Sequence, residues 1–449
     1  MSAMPELIPI APVQQRLWNL YRIGGPSAGY NMPCPLRLRG PLDREALRHA
    51  IEDVVDRHAP LRTLLPGEPG AGRLEVLDRL PADALWHEQA CTLEEADTIV
   101  EQEARHAFDL GAEPPFRVRL LILGEDDHIL SILVHHLAFD GWSARVFHED
   151  LAAAYAARRA GSAPDWKPLA IEYSDYVLWQ LELLGDAGDP GSYARQLLDY
   201  WLPTLAGLPE QLTLPVDRPR PAVAGQGGAP MPLELGADLH RGLLALAQQC
   251  GATLFMVVHA AITVLLHQSG AGTDIPVGTP VAGRGEPELD RMVGFFVNSL
   301  VLRADLSGRP GFRELLDRVR EVDLAAYDHQ ELPHSWLAEA LRPSAGRGQT
   351  LTRVMLAFDT GGLEQPRLDG LDVAIHPTAM EGGRFDLIFH FADQYEADGR
   401  PGGILGALEY SADLFDPETA QGLGSRLTAI LADAAAAPDT PIDELGGAR

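Results

Sequence analysis

The pattern of apolar and polar positions predicts a core strand that runs into a helix through a short loop. The run 128–134 is apolar after His128 except for Ser131, and its length and branched side chains are typical of a buried strand. The stretch 116–123, which is apolar except for Arg117 and Arg119, predicts a neighbouring strand. Apolar residues recur at helical spacing over 143–159. Residues 135–142 therefore lie where a strand ends and a helix begins.

The same periodicities predict further elements along the chain. Helices are expected at Pro9 to Leu20, Leu42 to His58, Leu243 to His267 and Pro417 to Ala434. Pro12 is expected to open the first helix and Asp43 to cap the second, and the third is expected to consist of two parts. Strands are expected at 274–280 and 384–392. The Pro- and Gly-rich stretch 208–232 predicts a connector between two halves, because such sequence forms few packed contacts.

Length and composition narrow the class of protein. A chain of 449 residues is too long for one ordinary core, so two domains or lobes are expected. The formal net charge of −28 argues against a nucleic-acid or anionic-membrane partner. No run approaches 18 uninterrupted apolar residues, and Met1 to Pro12 lacks the features of a secretory signal. Three scattered cysteines fit a reducing cytosol, so a cytoplasmic location is expected.

The candidate catalytic residues follow at the end of the core strand. His135 and His136 are followed by Asp140 and Gly141, which completes the pattern His-His-x-x-x-Asp-Gly. A lone histidine at a strand end is more often structural. The whole pattern, with 15 His and 44 Gly in the chain, is expected by chance on the order of once in several hundred such chains. Because neighbours on a strand face opposite sides, only one of the two imidazoles should face a cavity.

This motif resembles the active-site motif of the condensation domains of non-ribosomal peptide synthetases, a branch of the chloramphenicol-acetyltransferase-like acyltransferases. Six of the seven sequence blocks of that family have counterparts here, in the family's order: 11–18, 57–63, 134–143, 173–179, 293–303 and 328–333. The seventh, around 347–353, matches only in part. The resemblance therefore covers most of the chain.

The resemblance implies a fold and a reaction. The fold is α/β, a pseudo-dimer of two chloramphenicol-acetyltransferase-like lobes in a V with a tunnel between them. Residues 1–178 form the lobe that carries the motif, and 179–449 form the second lobe with crossover elements. The reaction is peptide-bond formation, in which a carrier-bound aminoacyl amine attacks an upstream carrier-bound acyl or peptidyl thioester. The residues within the matching blocks resemble those of the subtype that joins an L-configured donor to an L-acceptor.

The resemblance also implies how the substrates arrive. Donor and acceptor are carried on phosphopantetheine arms of two peptidyl carrier proteins, with no cofactor or metal bound by the chain itself. An adjacent adenylation domain is expected if the chain is part of a synthetase, and a monomer is expected. Because carrier proteins are usually acidic, as this chain is, docking would depend on apolar contacts and small basic groups such as Arg158-Arg159 or Arg342.

Roles for individual residues follow from the match to the motif. His136 is the expected catalytic residue and His135 is mainly structural. Asp140 is expected to form a structural ion pair with Arg284 first or Arg62 second, although a triad in which Asp140 orients His136 stays open. Gly141 would let the extended arm pass close to the backbone. The remaining supporting positions are Trp142, Ser143 and Asn298.

Amide formation from a thioester requires three things: an amine in attack geometry, removal of its extra proton, and stabilisation of the oxyanion. A neutral imidazole suits the second task because its ordinary pKa is near working pH. Whether His136 acts as a base or as a hydrogen-bonding aid stays open. No Ser or Cys nucleophile stands in a matched motif, so direct attack without an acyl-enzyme is the simpler mechanism.

Two other functions stay open. One is an acyltransferase that makes esters or amides, from coenzyme A thioesters among other donors. The other is a non-catalytic recruitment domain, although such domains usually carry a broken motif. The sequence also leaves open whether the chain is a free-standing enzyme or a piece of a synthetase.

Overall fold

The computed structural model describes residues 8–66, 73–81, 85–209, 212–221, 230–342, 351–360, 366–378 and 385–447. The chain divides into two compact units. Unit 1 consists of Met1–Gln196, Ala282–Val297 and Glu364–Glu381, and unit 2 consists of Leu197–Val281, Asn298–Leu363 and Gly382–Arg449. Unit 1 therefore includes two segments from the second half of the sequence. We call Ala282–Val297 the inserted segment.

The helices are, in chain order, α1 Gln15–Gly24, α2 Arg44–Arg57, α3 Leu93–Ala104, α4 Gly141–Arg159, α5 Tyr173–Leu184, α6 Tyr193–Thr204, α7 Ala237–Gln249, α8 Leu254–Leu266, α9 Phe312–Tyr327, α10 His334–Leu341 and α11 Pro417–Ala436. The strands are β1 Ile8–Pro9, β2 Asn31–Pro33, β3 Leu36–Arg39, β4 Thr63–Leu64, β5 Arg73–Val76, β6 Trp86–Ala90, β7 Phe116–Ile122, β8 Asp127–His135, β9 Met231–Leu235, β10 Asp274–Val281, β11 Asn298–Asp305, β12 Val354–Asp359, β13 Asp372–Ile375, β14 Leu387–Tyr395 and β15 Pro401–Tyr410.

The main sheet of unit 1 has the order β13-β3-β8-β7-β6, and β2 also pairs with β8. Strand β8 lies in the middle and is buried along almost its whole length, as its apolar sequence requires. Its neighbours β3 and β7 are antiparallel to it. Helices α2 and α4 pack together, and their apolar faces share a core with β3, β7 and β8. The central position of β8 gives the residues that follow it a rigid support.

The sheet of unit 2 has the order β11-β10-β12-β14-β15-β9. Its core contains apolar residues of α7, α8, α9 and α11. The window Leu254–Ala271 is apolar enough in composition to span a membrane, but 67% of it is buried within the fold. Helix α8 is therefore a core helix of unit 2.

Most of the predicted elements are present within a few residues of their expected bounds. Asp43 caps α2 as predicted, since its carboxylate accepts from Ala46 N at 2.9 Å. The two-part helix at 243–267 is α7 and α8. The prediction that Pro12 opens the first helix was wrong: Pro12 lies in a preceding turn, and α1 begins at Gln15.

The interpretation of 208–232 as a connector between halves was also wrong for its described part. Residues 212–221 belong to unit 2, where Leu214 lies in the core and Arg220 forms an ion pair with Asp386. The first change between units falls after Gln196, inside α6. The predicted lobe boundary after residue 178 stays a prediction. Most of the partly matching seventh block, 347–350, lies outside the described residues.

Candidate active site

The first histidine of the motif ends the core strand and points into the protein. His135 is the last residue of β8 and is 3% exposed. Its Nδ1 accepts from Leu137 N at 3.1 Å, and its ring meets the Phe108 ring edge to face at 5.9 Å. An imidazole held in this way stabilises the turn that follows the strand.

The second histidine opens a single 3₁₀ turn, His136–Ala138, and is half-buried. Its backbone N donates to Tyr30 O at 2.7 Å, and its Nδ1 lies 2.6 Å from Phe139 O. Because a carbonyl oxygen can only accept, Nδ1 must carry a hydrogen, and in the neutral ring the lone pair is then on Nε2. The Phe295 ring meets the imidazole edge to face at 5.1 Å. The turn thus sets the tautomer that a proton acceptor at Nε2 requires.

Asp140 is the N-cap of α4, and both of its carboxylate oxygens have hydrogen-bond partners. Oδ1 accepts from Ser143 N at 2.8 Å and lies 2.7 Å from Ser143 Oγ. Oδ2 accepts from Phe296 N at 3.1 Å, and Arg284 Nη2 lies 3.1 Å from Oδ1. The imidazole of His136 instead bonds to a backbone carbonyl. The arrangement expected of a triad is therefore absent, and the ion pair with Arg284 is present.

The partner of Asp140 lies in the inserted segment and is buried. The side chain of Arg284 is 1% exposed, and its Nη1 donates to Met292 O at 2.8 Å and also to Leu289 O. Its guanidinium lies 3.9 Å from the centroid of the Phe296 ring. Burial lowers the pKa of Arg284, although Asp140 opposes that shift. Just before it, Gly283 has φ of +66°, and a Cβ there would overlap Phe296 O, so the turn requires glycine.

Further contacts fasten the inserted segment beside the motif. Ser143 Oγ lies 2.9 Å from Gly294 O and accepts from Gly294 N at 3.0 Å. Tyr173 donates to Phe295 O at 2.7 Å, and burial raises the pKa of this phenol well above its ordinary value. A Cβ on Gly294 would lie 2.6 Å from the Tyr173 ring. Phe295 therefore has a fixed place against His136.

The first residues of α4 border open space. A Cβ built on Gly141 would meet no other atom within 4 Å. Trp142 is 37% exposed, donates from Nε1 to Asp290 O at 3.0 Å, and lies 4.6 Å from the Arg145 guanidinium. The packing around Gly141 does not itself require glycine, which leaves room beside the motif for a ligand.

A second carboxylate on α4 holds the same inserted segment, and sequence reasoning missed it. Asp150 is buried and accepts from Arg57 Nε at 2.9 Å and from Arg291 Nη2 at 2.7 Å. His58 Nε2 lies 2.9 Å away, and burial lowers the pKa of that imidazole. These partners hold the pKa of Asp150 below its ordinary value although burial opposes them. The available signal was a carboxylate on the apolar stripe of a predicted helix.

Two predicted support residues bond to the backbone of other parts of the chain. Arg62 donates to the carbonyls of Leu77 and Asp56, so it stabilises the local backbone of unit 1 and does not pair with Asp140. Asn298 belongs to unit 2, where its Nδ2 donates to Gln330 O at 2.8 Å and to Leu332 O at 2.7 Å. Its contacts join the fifth and sixth sequence blocks.

The basic groups expected to dock carriers are engaged within the fold. Arg158 forms a bidentate pair with Asp53, at 2.6 and 2.5 Å. Arg159 donates to Asp369 at 2.7 and 2.8 Å, and Arg342 donates to Pro209 O at 3.2 Å. These guanidinium groups stabilise the units to which they belong.

Among the described residues, no group of three or more His, Cys, Asp or Glu side chains is placed to hold a metal ion.

Comparisons with known proteins show the family of this chain. The family model described as "Condensation domain" matches residues 4–447. The chain is 45% identical, over 97% of its length, to a protein of Salinispora arenicola named as a probable non-canonical nonribosomal peptide synthetase. It is 43% identical, over 98% of its length, to a dimodular nonribosomal peptide synthase of Bacillus subtilis. The chain spans only 6% and 19% of these two relatives.

A solved structure gives the same result for the fold. The crystal structure of the X-domain from teicoplanin biosynthesis superposes with a TM-score of 0.91 at 34% identity, covering 99% of this chain and 98% of that one. The two units thus form a mixed α/β protein of the chloramphenicol-acetyltransferase-like class, as predicted. This chain belongs to the condensation domain family of non-ribosomal peptide synthetases.

Proposed function

We propose that this chain forms an amide bond between two carrier-bound substrates, with His136 as the residue that acts on the attacking amine. The observation that carries the proposal is the His136 turn, where the bond from Nδ1 to Phe139 O leaves the lone pair of the neutral ring on Nε2. A half-buried imidazole directly after a rigid strand is held in place and keeps part of its surface exposed.

Donor and acceptor arrive on phosphopantetheine arms of carrier proteins, and the chain itself binds no cofactor. Gly141 supports this part of the proposal, because the space beside it is open and an arm could pass close to the backbone there. The tunnel between lobes through which both arms would enter stays a prediction of the resemblance. We assign the chain to the cytoplasm, beside an adenylation domain where it is part of a synthetase.

The reaction we propose is direct attack of the amine on the thioester, without an acyl-enzyme. The amine nitrogen forms a bond to the thioester carbonyl carbon, the thiolate of the arm leaves, and the proton lost by the amine passes to Nε2 of His136 or to solvent. As a proton acceptor or as a hydrogen-bonding aid, His136 needs the same tautomer. Asp140 serves this chemistry indirectly, because it caps α4 and holds Arg284.

The test compares His136→Ala with the wild type in the transfer between two carrier domains, each loaded with a panel of L-aminoacyl phosphopantetheines. We expect dipeptidyl thioester on the acceptor carrier with the wild type, and a loss of turnover of roughly 100-fold or more in the variant. His87→Ala is the matched control, because His87 is exposed on β6. Equal rates for His136→Ala and the wild type would refute the assignment.

A second candidate function is recruitment of another enzyme without catalysis. One observation favours it: a teicoplanin X-domain solved in complex with OxyB superposes with a TM-score of 0.90 at 34% identity. The intact His-His-x-x-x-Asp-Gly motif favours catalysis instead. The same assay separates the two, since a recruitment domain would show no transfer with any loaded pair. Equal rates with free coenzyme A thioesters would favour the simpler acyltransferase.

A further inference from the structure

A buried glutamine joins the N-terminal part of unit 1 to the turn that carries His136. Gln14 precedes α1 and is 3% exposed. Its Oε1 accepts from Ala11 N at 3.0 Å, and its Nε2 donates to Leu137 O at 2.7 Å, across 123 residues of sequence. The backbone N of Gln14 also donates to Ala11 O at 2.9 Å. Sequence reasoning missed this residue, although it lies within the first matching block, 11–18.

The two partners fix the orientation of the Gln14 amide. Ala11 offers an N–H and Leu137 offers a carbonyl, so the side chain must accept at one end and donate at the other. At this length only a carboxamide or a protonated carboxylic acid has both groups. Because the site is buried, a side chain lacking either group would leave a backbone polar atom without its partner.

Leu137 is the residue through which this contact reaches the histidine. Its N–H donates to His135 Nδ1 and its carbonyl accepts from Gln14, so side chains hold both of its backbone polar groups. Leu137 follows His136 directly, and Phe139 N closes the turn by donating to His136 O at 3.3 Å. A shift of Leu137 would therefore move Phe139 O, the acceptor that sets the tautomer of His136.

We propose that Gln14 is a positioning residue for His136: its amide fixes the turn His136–Ala138 and so holds the imidazole as the Nδ1–H tautomer. The effect on turnover rests on the function proposed above, whereas the effect on the tautomer does not.

Two variants test the proposal. Gln14→Met keeps the side-chain length and removes both hydrogen bonds. Gln14→Glu can donate to Leu137 O only while its carboxyl is protonated, so it should keep the native bonds at low pH and lose them as pH rises through the pKa of the new carboxyl. Gln102→Glu, on the exposed side of α3, is the matched control.

The first measurement is the ¹⁵N spectrum of the histidine rings, with the His136 signals identified by their loss in His136→Ala. We expect one tautomer in the wild type and a mixture in Gln14→Met. Gln14→Glu should change from the first pattern to the second as pH rises. A residue that only filled space would leave the tautomer unchanged.

The second measurement is turnover between loaded carrier domains. We expect kcat of Gln14→Met to fall about tenfold or more with a much smaller change in KM, because a displaced imidazole costs rate rather than binding. The ratio of kcat for Gln14→Glu to wild type should fall with rising pH. Taking this ratio removes the pH dependence that both enzymes share. For Gln102→Glu the ratio should stay flat.

A single tautomer and wild-type kcat in Gln14→Met would overturn the proposal, as would a pH-independent ratio for Gln14→Glu. Urea unfolding of each variant shows whether it is folded, and Gln14→Glu at low pH gives a folded sample if Gln14→Met does not. If His136→Ala kept wild-type turnover while Gln14→Met changed the tautomer, the proposed catalytic role would fail and the positioning role would stand.

Discussion

The turn 136–140 of unit 1 and the helix pair α8–α9 of unit 2 each contain a histidine and an aspartate, and they use them in opposite ways. His136 and Asp140 are four residues apart, yet their side chains bond to other partners. His259 on α8 and Asp323 on α9 are 64 residues apart, and His259 Nδ1 lies 3.0 and 3.2 Å from the two carboxylate oxygens. Judged only by the distance between imidazole and carboxylate, His259 and Asp323 resemble a catalytic dyad more closely than His136 and Asp140 do.

Access to solvent reverses that conclusion. The side chains of His259 and Asp323 are both 0% exposed, and the apolar core of unit 2 surrounds them. Burial of the Tyr327 phenol, with Asp323 as the second cause, raises the pKa of Tyr327 to about 12. His136 is half-buried at the end of a strand, beside the open space at Gly141. The candidate catalytic histidine therefore differs from His259 by its fixed tautomer and partial exposure, and not by a carboxylate beside it.

The largest effect on the free energy of unfolding should come from Asp140→Ala. The variant removes the N-cap of α4 and leaves the Arg284 guanidinium buried without its counter-ion, a loss of about 3–5 kcal/mol. Urea unfolding measures it. Asp127→Ala is the control, because the Asp127–Arg37 pair is partly exposed and should cost about 1 kcal/mol or less.

A stability close to wild type in Asp140→Ala, with activity lost, would contradict this view of Asp140. Such a result would revive the triad interpretation, in which the carboxylate acts on the imidazole and contributes little to folding. The comparison between the two units would then lose its contrast.

The sequence predicted the local structure around the motif well, because strong periodicity and motif residues coincide there. The end of β8 follows from its apolar run, and the start of α4 follows from the helical spacing of apolar residues after it. Alternation along the strand predicted that only one of His135 and His136 would face a cavity, and the family match assigned that place to His136. The cap role of Asp140 was not predicted, although an Asp directly before a helical apolar pattern is a known N-cap signal.

What the sequence could not predict are contacts between residues far apart in the chain. The pairing of Asp140 with Arg284 came from the family resemblance, with Arg62 as the alternative, and only coordinates separate the two. Asp150 and Gln14 were missed for the same reason: each acts through partners more than ninety residues away. Likewise, the apolar pattern of the inserted segment does not indicate that this segment belongs to unit 1.

A smaller effect is expected when the buried pair of unit 2 is replaced as a whole. In the double variant His259→Leu and Asp323→Val, no polar group is left without a partner, so the free energy of unfolding should stay within about 1.5 kcal/mol of wild type. Asp323→Val alone leaves the His259 ring buried without its acceptor and should cost about 1–3 kcal/mol. Urea unfolding of the three proteins gives the comparison.

Turnover should change little in the double variant, because we assign the pair no part in the reaction. A folded double variant that cannot transfer an aminoacyl group between loaded carriers would show that the dyad of unit 2 is functional. The distinction drawn from access to solvent would then be wrong.

The smallest effect on stability is expected at Gly141, where the functional effect should nevertheless be large. Gly141→Val adds a side chain into open space at the first turn of α4, so the free energy of unfolding should change by about 1 kcal/mol or less. Gly294→Ala is the control: its Cβ would clash with the Tyr173 ring, and overpacking should cost about 1–3 kcal/mol. Turnover with carrier-bound donor should fall in Gly141→Val far more than its stability, because the added side chain occupies the space assigned to the arm. Wild-type turnover in a stable Gly141→Val would mean that the arm does not pass this residue, and the open space beside Gly141 would need another occupant.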